Sequence, residues 1–226
     1  MTHTDIAHHA LPEDDVSLVK RIQGGDRAAF ASLMSRYNRR LYRLARATLR
    51  NDADADDALQ NAYLLAYKSL HQFRGDASVT TWLSRLVLNE CMDRLRRNAR
   101  REKVLPMSSP TAAINEVPDS GIDSPDQKLA RDQVRVLLDR KLDELPRDFR
   151  QVFVLRSVEE LSVEETARIL GVPEATIRTR HLRARSLLRE ALAREFDLVE
   201  QDVFEFGGTH CERMVARVMA RLDVDP

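Results

Sequence analysis

Glycine, aromatic rings and cysteine are all scarce in this sequence. Seven glycines in 226 residues and an aromatic content of 5% are too few for the turns and packed rings of an all-β domain. The two cysteines, Cys91 and Cys211, stand far apart with no CxxC. That argues against a disulfide framework and suits two free thiols in a reducing compartment. No apolar run approaches membrane-spanning length. The start, "MTHTDIAHHALPEDD", lacks the basic-then-apolar layout of a signal peptide. The expectation is a cytoplasmic chain without membrane insertion, with residues 1–14 as a flexible leader. Net charge is missing too: 36 basic side chains meet 36 acidic ones. Coating nucleic acid by bulk charge is thereby excluded, while local basic patches are not. A phosphate-cradling glycine loop, a nucleophile elbow and a metal-ligand set are also absent, so no catalytic site, metal, cofactor or small-molecule substrate is expected.

What is present is amphipathic helix after amphipathic helix. Val16 to Gln23 is a short one, broken by "GGD", and Asp26 is placed to cap the next. From Arg27 to about Arg50, Phe30, Leu33, Met34, Tyr37, Leu41, Leu44 and Ala45 step by three and four. "NDADADD" supplies a break and a cap near Asp54. The following helix carries Leu59, Ala62, Tyr63, Ala66, Tyr67 and Leu70 on one side. After "HQFRGDAS", Ser78 can cap a helix from Val79 to about Arg101, whose apolar stripe starts with Val79, Trp82, Leu83 and Leu86. Four such helices with short joints can enclose one core. Residues 103–126 bring four prolines and many small polar residues with no periodicity, the composition of a flexible linker. A second helical block follows, residues 127–195. Its first stripe is Leu129, Val134, Leu137, Leu138, Leu142 and Leu145, ending at Pro146, and its second helix carries Phe149, Val152, Phe153 and Leu155. Residues 196–226 are an acidic stretch, an "FGG" break and a last amphipathic helix.

"LSVEETARILGVPEATIRTRHLRAR", Leu161 to Arg185, predicts a helix-turn-helix. Ser162 and Glu165 have capping-box spacing. Val163, Ala167 and Leu170 share a face, and Ala167 is small where two helices must cross. Gly171 suits a left-handed turn, and Pro173 the first turn of the next helix. In that helix Ile177, Ala184 and Leu188 form a core face, with His181 on the same line as a packing residue. Ala175, Arg178, Thr179 and Leu182 lie opposite and can enter a major groove. Arg180, Arg183 and Arg185 flank them within reach of phosphates.

A second stretch, "FRGDASVTTWLSRLVLNECMDRLRRNARREK", joins a glycine-containing loop, a tryptophan and a basic helix end. Six basic residues and one acid stand between Arg94 and Lys103. Charge for the backbone beside a ring for an unstacked base is what single-stranded DNA binding needs. Trp82 reads equally as core packing, and the arginines as partners of the helix C-terminus and water.

Taken together, "LVKRIQGGDRAAFASLMSRY", "DADDALQNAYLLAYKSLHQFRGDASVTTWLSRLVLNECMDRLRR" and "LDELPRDFRQVFVLRSVEELSVEETARILGVPEATIRTRHLRARSLLRE", in that order, resemble the extracytoplasmic function (group 4) sigma factors of bacterial RNA polymerase. The resemblance covers about residues 15 to 195. It implies an all-α fold of two small helical domains joined by a flexible linker, with a C-terminal helical extension. Residues 15–102 would be sigma region 2 and residues 127–195 sigma region 4. The implied partners are core RNA polymerase, through its clamp helices and flap, promoter DNA, and an anti-sigma factor where one exists. Asp54, Asp57 and Gln60 fall where the family contacts the clamp; Asn61 stands where an acid is usual. Phe73, Arg74, Gly75, Asp76, Ala77 and Ser78 would capture a flipped base of the −10 element, with Trp82 nearby. Asn89 would meet DNA near the start of melting, and Arg94, Arg96 and Arg97 would hold phosphates. Ala175, Arg178, Thr179, Leu182 and Arg183 match the positions that read the −35 element. The acidic linker, with Glu116, Asp119, Asp123 and Asp126, suits a basic channel in the polymerase. A stand-alone helix-turn-helix regulator is the alternative. In the tail, His210 beside Cys211 does not have zinc spacing; the segment reads as a packing helix or as a regulatory element with a reactive thiol.

Overall fold

Side-chain caps open several of the helices in this computed structural model; residues 14–104, 125–201, 212–214 and 216–217 are described. Asp14 accepts the Ser17 N–H at 3.0 Å and opens α1 (Asp15–Gln23). Asp26 accepts from Ala28 and Ala29 and opens α2 (Arg27–Leu49). Arg50, at φ 61°, ends α2, and Asn51 caps α3 (Asp52–Ser69) by accepting the Asp54 N–H at 2.9 Å. The break therefore lies three residues before the expected Asp54, because the asparagine amide oxygen takes the orphan N–H first. A 3₁₀ turn, Leu70–Gln72, leads to the loop before α4 (Val79–Val104). Then come α5 (Pro125–Glu144), α6 (Arg147–Phe153), a π turn Val154–Val158, α7 (Val163–Leu170) and α8 (Glu174–Gln201). Among the described residues there is no strand, and no helix is long and apolar enough to cross a membrane.

Helices α1 to α4 close around Leu18, Ile22, Leu33, Leu41, Tyr63, Leu83, Val87 and Cys91, all buried. Phe30 meets Tyr63 edge-on, with ring centroids 6.2 Å apart. Asp15 ties α1 to α2 by pairing with Arg36 at 2.6 Å and accepting from the Tyr37 hydroxyl. Tyr67, expected in this core, is exposed instead. It follows Leu64 and Leu65, which fall off the stripe and face solvent as well.

Burial pushes the Cys91 thiol up to about 12, with Glu90 adding to it. In a Cys211→Ser chain at about pH 8 the remaining thiol should ignore an aromatic disulfide reagent until denaturant is added. Rapid reaction of the native chain would show that the core opens.

A second apolar cluster joins Leu44 of α2 and Leu88 of α4 to Leu155, Leu161 and Ile169. The stripe expected on α5 is not a buried one: among its described residues Val134 is 57% exposed, Leu137, Leu138 and Leu142 are half-covered, and only Leu145, at its end, is buried. Helix α5 also starts at Pro125, inside the expected linker, with proline at the first helical position where no N–H is needed. Residues 105–124 lie outside the described residues, as do the first 13, the "FGG" break and Cys211. Helix α8 runs on to Gln201, past the expected boundary at 195. The described residues up to Arg185 form one compact unit, and the described ones from Ser186 a second.

Candidate nucleic-acid interface

The turn between α7 and α8 is built from local chemistry. Ser162 Oγ accepts the Glu165 N–H and a Glu165 carboxylate oxygen accepts the Ser162 N–H, each at 3.0 Å. Gly171 adopts φ 66°, ψ 34°, and its N–H reaches the Ala167 carbonyl at 2.9 Å. Pro173 stands one residue earlier than expected, just before the first helical residue, and its carbonyl accepts the Ile177 N–H at 3.2 Å. The buried face of α7 is Thr166 and Ile169, not Val163, Ala167 and Leu170, which are half-covered. A threonine can be buried there because its hydroxyl donates to the Ser162 carbonyl at 2.8 Å.

The Ser162 N–H holds the Glu165 carboxyl below its ordinary 4.5, and the Ser162 hydroxyl, which alanine would remove, adds to that. A depressed carboxyl adds stability that is fully present above the ordinary value and is lost as pH falls through the lowered one. Ser162→Ala should cost about 1 kcal/mol in urea unfolding at neutral pH. It should also flatten the acid limb of the stability curve; an unchanged midpoint would remove the cap from the account.

On α8, Ile177 and Ala184 are fully buried. His181 is half-buried, with Nε2 2.8 Å from Ser157 Oγ. Burial pulls its pKa down, and Arg156 and Arg185 add to that. Ala175, Arg178, Thr179, Leu182, Arg183 and Arg185 are exposed. Leu182 is 72% exposed, an apolar side chain left on a polar face. The Thr179 hydroxyl donates back to the Ala175 carbonyl at 2.5 Å. Arg178 pairs with Glu174 at 2.6 Å, and Arg180 with Asp148 at 2.7 Å. One solvent face thus carries a cation, a hydroxyl and an apolar tip, the three contacts that read base edges.

The second surface is the loop ahead of α4. Phe73 anchors its start: its N–H meets the Leu70 carbonyl at 3.0 Å and its ring packs on Trp82, centroids 5.2 Å apart. Ser78 anchors its end, with Oγ accepting the Thr81 N–H at 3.2 Å. Between them Arg74, Gly75 and Asp76 are exposed, Ala77 is half-covered, and Gly75 sits at φ 81°. Trp82 packs against the helical core and Phe73 while keeping part of its ring accessible. Asn89 and Arg97 are exposed further along α4. Arg96 pairs with Asp93.

Arg94 is held differently. It binds Asp54 at 2.6 Å and Asp57 at 2.7 Å, so one guanidinium from the expected phosphate-binding set joins two carboxylates from the expected polymerase-binding set. Gln60 stays exposed on the same helix. Beyond it Leu64, Leu65 and Tyr67 make an exposed apolar run, 62%, 43% and 39% accessible. The "LL" step off the helical stripe is the sequence signal for it.

Residues 33–101 match the family model described as Sigma-70 region 2, and residues 135–188 match Sigma-70, region 4. The chain is 39% identical over 178 residues to the ECF RNA polymerase sigma factor SigM of Mycobacterium tuberculosis, covering 79% of this chain and 84% of that one. It is 35% identical over 180 residues to the ECF RNA polymerase sigma-E factor of Escherichia coli K12, covering 77% and 92%. Its fold is similar to that of the sigma factor RpoE solved with the anti-sigma factor NepR from Bartonella quintana: TM-score 0.60, 22% identity, 73% and 96% coverage.

Proposed function

Because the chain belongs to the extracytoplasmic function sigma factors of the sigma-70 family, we propose that its two exposed reading surfaces serve one promoter, α8 on the −35 element and the loop before α4 on the −10 element. The protein is an RNA polymerase sigma factor: it binds core RNA polymerase and directs it to promoters. The family is not a class of enzymes, and what this chain contributes is recognition and melting.

One observation carries the assignment of residues. A capped helix-turn-helix with an exposed Arg178–Thr179–Leu182 face, and a glycine loop with both ends anchored beside a half-buried tryptophan, stand in one chain. Arg178, Thr179, Leu182 and Ala175 would meet base edges in the major groove, and Arg180, Arg183 and Arg185 the phosphates. Arg74 to Ala77 would surround a flipped base, stacked near Phe73 and Trp82. Asn89, Arg96 and Arg97 would follow the strand along α4. Asp57 and Gln60, with the apolar run Leu64, Leu65 and Tyr67, would dock on the polymerase clamp, since an exposed apolar patch rimmed by polar groups marks a protein contact. Asp54 and Arg94 would brace that surface through their ion pair. The work is cytoplasmic, where core polymerase is found, and an anti-sigma partner belongs to the same reading.

The test is run-off transcription with purified bacterial core polymerase on the DNA upstream of this gene. A defined transcript that needs both components is the expected result. No transcript together with no association with core would leave a stand-alone helix-turn-helix regulator.

A further inference from the structure

Four arginines share one cavity and one carboxylate. Where the end of α2 meets α4, α6 and α8 there is an open cavity of about 590 Å³, lined by Arg50, Arg147, Arg150 and Arg180 together with Asp148. Small-ligand sites span roughly 300–1,000 Å³, so the space suffices for one. The whole chain balances 36 basic side chains with 36 acidic ones, and the excess of positive charge here is local.

Asp148 is committed to Arg180, at 2.7 Å. It stands 3.6 Å from Arg147, whose guanidinium otherwise reaches only the Met92 sulfur, a weak acceptor, at 3.5 Å. Arg50 and Arg150 pair with no carboxylate among the described residues. Both donate to the Leu145 carbonyl, each at 2.8 Å, so two guanidiniums converge on one neutral oxygen. Arg150 donates to the Ala47 and Asp143 carbonyls as well. Its Nη2 has no hydrogen-bond partner among the described residues. Carbonyl oxygens satisfy donors without neutralising the charge, and a buried charge is costly unless it is paired. Burial accordingly pulls Arg150 down to about 10; Arg50, Arg46 and Arg147 add to that, and Asp143 opposes it.

The rest of the lining is largely apolar, with Leu49, Leu95 and the Phe149 ring. Guanidinium forks match phosphate oxygens two at a time, and a flat heterocycle packs well on a ring and aliphatic side chains. Depth decides between a small molecule and a nucleic acid backbone. Arg150 is only 2% exposed; a terminal phosphate can reach it at the bottom of the cavity, whereas a phosphate within a duplex cannot leave its strand to do so.

We propose that this cavity is a binding site for a nucleoside diphosphate, with its phosphates on Arg50, Arg147 and Arg150 and its base against Phe149 and Leu95. The site is independent of the sigma factor reading, because binding is measured on the chain alone. A ligand held by α2, α4 and α6 together binds only the folded chain, so it raises the melting temperature as its concentration rises.

The experiment titrates the full-length chain calorimetrically with ADP, GDP, AMP and inorganic pyrophosphate at matched ionic strength. ADP or GDP should bind saturably and raise the melting temperature, roughly tenfold more tightly than AMP or pyrophosphate. Arg50→Asn/Arg147→Ala should weaken that binding roughly tenfold or more. Both side chains are exposed, and asparagine tolerates the left-handed backbone of Arg50, φ 61°, so the unliganded variant should keep its helicity and cooperative melting. Asp148→Asn removes the competing carboxylate and frees Arg180, and should tighten binding, a gain that an unfolded chain would not show. No saturable binding of either diphosphate, equal binding by the parent and the double variant, or pyrophosphate as tight as the nucleotides would overturn the site. Weaker binding of a promoter duplex by the double variant, with no nucleotide bound by the parent, would also overturn it and assign the arginines to the DNA backbone.

Discussion

A chain carrying Arg74→Ala, Gly75→Ala and Asp76→Ala should bind core polymerase as tightly as the parent and open promoters about 10–100-fold less well, the equivalent of about 1.4–2.8 kcal/mol. Extracting a base from the duplex costs a few kcal/mol, and a pocket that holds it offsets that cost. The three positions are exposed, so alanine removes no core contact. Gly75 sits at φ 81° with open space where a Cβ would stand. An alanine there meets no neighbour, but it disfavours the left-handed backbone by about 1–2 kcal/mol and re-aims the loop. Phe73 and Ser78 keep the loop ends in place through the Trp82 stack and the α4 cap. Permanganate reactivity of thymines in the −10 region reports the open complex, and labelled core reports binding. Open complexes at the parental rate would remove the loop from melting.

Arg178→Ala should weaken −35 recognition by about 5–150-fold and flatten the preference at one base pair, since a bidentate arginine–guanine contact is worth about 1–3 kcal/mol. In the free chain Arg178 is already paired with Glu174, at 2.6 Å. Both side chains are largely exposed, and such a pair is worth only about 0.2–1 kcal/mol. The base contact therefore wins, and Glu174→Gln should leave recognition intact or slightly better. Arg183→Ala, by contrast, should lower affinity evenly across sequences and reduce the salt slope by about one. Transcription from a panel of single-base −35 variants at several salt concentrations separates the two. Equal losses on every sequence for Arg178→Ala would make it a phosphate contact instead.

Leu64 and Leu65 show what helical spacing conveys and what it leaves open. Of the expected stripe, Leu59, Ala62, Tyr63, Ala66 and Leu70 are buried and Tyr67 is exposed; the leucines off the stripe are exposed because no described element covers that side. On α5 the same reasoning failed, since Val134 recurs at core spacing and faces solvent. On α7 the apolar pattern pointed to Val163, Ala167 and Leu170. A threonine was buried in their place because its hydroxyl had a carbonyl to bind one turn back. Periodicity says which residues share a face. It does not say whether that face meets another element.

The amino-acid sequence by itself determined the succession of helices, the capping box at Ser162, the left-handed turn at Gly171 and the exposed face of α8. Each depends on groups within a few residues of one another, and backbone hydrogen bonding is decided at that range. The resemblance to the sigma factors was legible for the same reason, as ordered local motifs. Only the tertiary structure decided that Arg94 binds Asp54 and Asp57 across 40 and 37 residues, or that Glu159 binds Arg43 across 116. An arginine on a solvent-facing helix turn offers five donors to any acceptor that arrives. Which acceptor arrives depends on how distant helices pack, and that is settled by the fit of whole faces rather than by any short stretch of chain.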